Sequence, residues 1–179
     1  MKVRLVSVLL VTLALALLVP APALAAKPVI SAKPVATEFA ATATIDAITP
    51  GDVSPLGNTG NWLVRNREIQ GEIAGSINGA FTITYKGIFE LATQAGTFSG
   101  SFESGAYRMQ IAGVSAPLQI VWVEEFQTYL PMLQISGQWL LPQQQGYGEF
   151  NGWAIFIPVD GHVGAIVASS LGVTGVWKP

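Results

Sequence analysis

Few side chains in this sequence are of types that do chemistry, and their spacing limits what that chemistry would be. Glu124 and Glu125 are adjacent carboxylates. In a strand, alternation sends neighbours to opposite faces, so Glu124 shares a face with Ile120, Trp122 and Phe126. A carboxylate on an apolar face needs a partner or a wet cavity. The sharper expectation is a polar group at a cavity mouth facing Arg108 or Arg65. The plainer one is a strand leaving the core at its end, with Glu124 solvated. A candidate ligand site is therefore written over Glu124, Arg108, Trp122 and Tyr85, with no residue assigned a catalytic role.

Arg65 and Arg67 are spaced by two and project from one face of the strand that begins at Trp62. They could bind an anionic group, but without a glycine-rich loop or a helix N-terminus the signal for such a site is weak, and as edge charges they discourage sheet-to-sheet aggregation. His162 is the only histidine and follows the Asp160-Gly161 turn. It would have to be the base of any Ser/His/Asp arrangement, yet no Gly-x-Ser-x-Gly elbow exists, so a strand end at a barrel rim is the expectation. One histidine and no cysteine hold no zinc site. Of the five tryptophans, Trp62 and Trp177, near strand ends, are expected to be the exposed ones. There is no phosphate loop, calcium loop, dinucleotide fingerprint or Asn-x-Ser/Thr acceptor, so the sequence calls for no cofactor and weighs against most enzyme classes.

The elements that must position these groups are strands. From Asn61 onward, short runs of aromatic and β-branched residues are punctuated by Gly, Asn, Asp and Ser, with no apolar period of 3.6 long enough for a core helix. An earlier strand is expected between Thr37 and Thr49, followed by a loop to Gly60. Three hairpins follow from the letters. Asn78-Gly79 suits a two-residue turn and pairs Ser76 with Phe81 and Glu72 with Tyr85, large side chains over small ones. Ser104-Gly105 pairs Phe102 with Tyr107 and Gly100 with Met109, and sets Ser101 against Arg108 on a wet face. Asp160-Gly161 pairs Val159 with His162 and Pro158 with Val163, and both faces of that hairpin are apolar.

Further strands are expected near Leu118–Phe126, Leu133–Leu141, Tyr147–Ile157 and Val173–Trp177. About eight to ten short antiparallel strands make an all-β domain, either a closed antiparallel barrel or a sandwich. Sequential hairpins and glycines inside strands (Gly71, Gly75, Gly100, Gly137) favour the barrel.

The stretch from Gly71 to Ser104, above all Gly96-Thr97-Phe98-Ser99-Gly100-Ser101-Phe102, resembles the Gly-Thr-Phe-rich strands of the allene oxide cyclase and dirigent type of β-barrel. The resemblance spans under a quarter of the chain. It implies an eight-stranded barrel, often trimeric, with a cavity for a small apolar ligand. It carries no functional residue over to this sequence.

The N-terminus sets the location. Lys2 and Arg4 precede an apolar run from Leu5 to Val19, Pro20 and Pro22 end it, and Ala23-Leu24-Ala25 offers a small-x-small cleavage pattern. The run is shorter than the ~20 residues a spanning helix needs. Residues 1–25 are therefore expected to be a signal peptide cleaved before Ala26, 26–36 a flexible leader, and 37–179 one domain outside the cytoplasm. Of the 179 residues, about 154 then remain, enough for a real core. Seven basic residues face eleven acidic ones in that mature chain, which invites no nucleic acid. With no cysteine, disulfides and an acylated anchor are both excluded, so no stable membrane attachment is expected after cleavage.

Function is expected in this order. First comes a non-catalytic barrel that binds a small apolar ligand or is structural, with a homo-oligomer interface on the doubly apolar Trp153–Ser169 hairpin. Second comes a cavity isomerase or cyclase steered by Glu124. Third comes a small outer-membrane barrel, whose strands should alternate over ~9–11 residues.

Overall fold

The computed structural model describes residues 35–159 and 162–178. The segment expected as a signal peptide (1–25), most of the expected leader, and the expected turn at residues 160–161 lie outside the described residues. The strands are β1 (Thr37–Ile48), β2 (Asp52–Pro55), β3 (Asn61–Gly75), β4 (Gly79–Glu90), β5 (Gly96–Ser104), β6 (Tyr107–Ser115), β7 (Gln119–Val123), β8 (Thr128–Leu141), β9 (Gly146–Val159) and β10 (His162–Trp177). Every pairing is antiparallel, and β1 pairs with both β10 and β3. That double pairing closes β1, β3, β4, β5, β6, β8, β9 and β10 into an eight-stranded barrel, with β2 and β7 as outer strands. The barrel, not the sandwich, is the fold.

Alternation explains why these residues form these strands. Phe39, Ala41, Ala43 and Ile45 of β1 point inward and are buried, while Thr42 and Thr44 between them are exposed. On β4 the buried set is Phe81, Ile83, Gly87 and Phe89. The outer wall is built from Thr84, Ser101, Gln110 and their neighbours, which pair rung by rung across β4, β5 and β6.

One end of the barrel is plugged by aromatics. Trp139 and Phe39 are fully buried with ring centroids 4.7 Å apart, Trp177 meets Phe39 edge-on at 5.1 Å, and Tyr107 lies 5.7 Å from Trp177. The turns β3–β4, β5–β6 and β8–β9 gather at this plugged end. The opposite end, reached by the β4–β5, β7–β8 and β9–β10 connections, is the mouth.

The registers differ from those expected. The first hairpin pairs Gly71 with Phe81 and Arg67 with Tyr85, because its connection is wider than two residues. The Asn78 side chain accepts from the Gly75 amide at 3.2 Å and donates to the Gly75 carbonyl at 3.1 Å, and Ile77 turns inward and is buried. The second hairpin turns at Gly105-Ala106, pairing Ser104 with Tyr107 and Phe102 with Met109. The third keeps Val159 with His162 and Pro158 with Val163, then slips through irregularities before Ile166 and Ala168.

The segment expected as one strand from Leu118 to Phe126 ends at Val123. β6 and β7 run along the same edge of β8, joined by the Ala116 amide donating to the Gln134 carbonyl at 2.9 Å. The loop after Thr49 contains β2, paired with β3 through Asp52 and Arg65.

Candidate functional site

The barrel interior holds a cavity of about 70 Å³ whose walls are almost wholly apolar, with Ile83, Phe98, Met109, Leu133, Ile135 and Phe150 among them. That is several times the roughly 10–15 Å³ that one water needs, and far below the ~300–1,000 Å³ of drug-sized sites. Gly100 opposite Tyr85 and Gly113 opposite Gly137 are bare positions over which the Tyr85, Phe98 and Phe150 side chains of the lumen pack. Walls of this kind suit an apolar guest.

Two hydroxyl groups border it, Tyr85 and Ser115. Ser115 is buried and its Oγ donates to the Gln94 carbonyl at 3.0 Å, tying the β4–β5 connection to the mouth. Tyr85 sits among aromatics, with Phe98 at 5.6 Å and Phe89 at 6.4 Å. Burial pushes the Tyr85 phenol above its ordinary pKa, partly offset by the Arg67 guanidinium on the paired position of β3. Native Tyr85 thus holds its proton to higher pH than the unfolded chain, so stability is full below about pH 10 and falls as pH rises toward the native value. In an alkaline absorbance titration Tyr85 is expected to ionise later than an ordinary tyrosine, and Tyr85→Phe should remove that late step while leaving the fold intact.

The four residues expected to make one site lie in three places. Tyr85 is in the barrel wall. Arg108 is exposed near the plugged end, where its Nε lies 3.7 Å from Glu103 Oε1 across the β5–β6 pair. Glu124 and Trp122 are together, but at the tip of the β7–β8 hairpin. There Trp122 Nε1 donates to Glu124 Oε2 at 2.7 Å and Gln127 Nε2 donates to Glu124 Oε1 at 2.8 Å. Glu124–Phe126 form a single 3-10 turn rather than strand, closed by the Gln127 amide donating to the Glu124 carbonyl at 3.2 Å with Gln127 at φ 49°. The carboxylate is satisfied locally and is exposed, so neither an arginine nor a cavity wall is needed to hold it.

Those two donors, Trp122 first and Gln127 second, hold the Glu124 carboxyl below the usual carboxylate range. The native turn therefore favours the ionised form, and its contribution is lost as pH falls through the depressed native pKa. Trp122→Phe should raise the Glu124 titration midpoint toward the ordinary value, read by carboxyl-carbon NMR. An unchanged midpoint would show that the indole is not the controlling donor.

Arg65 and Arg67 do not share a simple strand face. Asn66 between them has φ 51°, the β3–β4 register shifts there, and Arg67 Nε donates to the Pro50 carbonyl at 2.9 Å. Among the tryptophans, Trp177 is buried in the plug, while Trp122 and Trp153 are the exposed ones. Ser115 and Gln127 were not singled out from the sequence, since a lone serine at a strand end and a glutamine at positive φ carry no signal in the letters. Among the described residues no cluster of three His, Cys, Asp or Glu could hold a metal ion. No protein-family model, no curated protein and no solved structure matches this chain.

Proposed function

We propose that the protein is a non-catalytic binding barrel that works outside the cytoplasm and takes a small apolar ligand into its lumen. The observation that carries this is the apolar cavity between the aromatic plug and the mouth, lined by two hydroxyls and by no charged residue. Its size suits a guest on the order of a benzene ring, or one short segment of a longer hydrocarbon. A cavity isomerase or cyclase steered by Glu124 needs that carboxylate on the core face; it stands instead on an exposed hairpin turn. An outer-membrane barrel needs a continuous apolar exterior, whereas the outer wall here is mixed: Thr84, Ser101 and Gln110 are polar, and the same rung continues into exposed Leu140 and Tyr147.

The test is a titration of the mature chain, residues 26–179, with benzene, followed through methyl resonances. Ile83, Ile135 and Met109 are expected to shift saturably while Ile120 on the β7–β8 hairpin does not. Absence of saturable shifts at the three cavity methyls would remove the reading. The export half of the proposal is tested separately: protein recovered from the extracytoplasmic fraction should begin at Ala26, and an intact Met1 would overturn it.

A further inference from the structure

The exposed large hydrophobic side chains are not spread evenly. The plugged end shows Val35, Leu140 and Tyr147, while the mouth end shows Ile120, Trp122, Phe126 and Tyr129 on the β7–β8 hairpin, with Leu91 on the β4–β5 connection and Ile157 and Val159 at the end of β9. The hairpin runs on beyond the paired wall, because β8 pairs with β9 only from Met132 onward and β5 begins at Gly96, opposite the last residue of β6, Ser115. Ile120 is 62%, Trp122 48%, Phe126 45% and Tyr129 66% exposed, a contiguous apolar tip of a kind monomers seldom leave bare. Trp122 and Tyr129 are a cross-strand pair with ring centroids 5.1 Å apart, near perpendicular, and the Glu124 carboxylate is bonded to the rim of the same indole. Two aromatic faces beside a fixed carboxylate attract an organic cation.

We propose that the β7–β8 hairpin docks the barrel mouth onto a zwitterionic lipid surface, with Ile120 and Phe126 entering the acyl boundary and the Trp122–Tyr129–Glu124 group receiving the headgroup ammonium. Charge chooses this occupant. The mouth segments carry the carboxylates Asp52, Glu90, Glu124 and Glu125 against Arg65 and Arg67, so an anionic bilayer is repelled and two mouths brought face to face repel each other. Tryptophan and tyrosine are also the residues that settle at a membrane interface, apolar body inward and polar edge toward the headgroups. The contact needs no spanning segment, and it does not depend on the cavity being occupied.

The mature chain is to be floated with phosphatidylcholine vesicles and with phosphatidylglycerol vesicles, beside the Trp122→Ala/Phe126→Ala double variant and Glu124→Gln. Wild type is expected to float with phosphatidylcholine and far less with phosphatidylglycerol. The double variant should lose partitioning roughly tenfold or more while keeping the native circular dichroism. Glu124→Gln, which keeps every apolar side chain, should lose a smaller but measurable share. Failure of wild type to float with phosphatidylcholine overturns the proposal, as does equal flotation of the double variant. So does a dimer in light scattering that the double variant breaks without any vesicle binding, since the tip would then serve a second copy of the chain. The benzene titration of the same double variant should match wild type, which separates failure here from failure of the cavity reading.

Discussion

Gly137→Ala is expected to cost more than about 3 kcal/mol, at the large end of what single substitutions do. A Cβ at Gly137 would sit 2.2 Å from the Ala112 carbonyl oxygen and 2.6 Å from Phe150 Cζ. Neither neighbour can yield cheaply: the first is backbone of the paired strand, and the second is an aromatic ring packed against Phe98 at 6.2 Å inside the lumen. Gly137 pairs with Gly113, so β6 and β8 approach where both lack side chains, and Phe150 from β9 fills the space they leave. Gly172→Ala is the control, since its Cβ would meet nothing nearer than 3.7 Å. Urea unfolding should place the first variant well below wild type and the second close to it; equal midpoints would mean that the sheet can open at the Gly113–Gly137 rung.

Trp139→Ala should cost about 3–5 kcal/mol, the range for deleting a large buried aromatic. Trp139 is 1% exposed, packs on Phe39, and its Nε1 donates to the Thr174 carbonyl at 3.0 Å, so one side chain joins β8, β1 and β10. Truncation leaves a void in the plug and strips a carbonyl of its partner at once. Trp139→Phe keeps most of the volume but loses the donor, and is expected to fall between wild type and the alanine variant. Thermal melts of the three proteins test the order. If phenylalanine and alanine melt together, the hydrogen bond outweighs the packing.

How much of this was legible in the letters depends on what each feature rests on. The strand expected from Thr37 to Thr49 is β1, Thr37–Ile48: Ala, Thr and Ile fill both faces, yet Phe39, Ala41, Ala43 and Ile45 fall together on the buried one. The wet and dry faces expected for the Phe98–Ile111 hairpin also hold: its turn moved, but the register changed by an even step and each residue kept its face. The first hairpin fared differently. Asn78 spends its side chain on Gly75, which widens the connection, and no dipeptide signal distinguishes that from a tight turn. The candidate site failed for a related reason. Gln94, Gln127 and Gln145 all take positive φ and close short turns, a conformation that glutamine does not advertise. Had Gln127 stayed extended, Glu124 would have continued β7 as the alternation required.

The strand that closes the barrel also sets its timetable. β1 zips onto β10 from Thr37 opposite Trp177 to Ala43 opposite Leu171, and the seam continues as Ser169 Oγ accepts from the Ile45 amide at 2.6 Å. On its other edge β1 pairs with β3 from Ala41 to Ile48. The first strand of the domain therefore stays one partner short until the last one has been synthesised. Contacts that span nearly the whole domain are slow to find, on the milliseconds-to-seconds scale of all-β topologies. A chain cut short before Leu171 cannot make this seam, and until the seam forms the aromatic plug of Phe39, Trp139 and Trp177 has no complete wall to close.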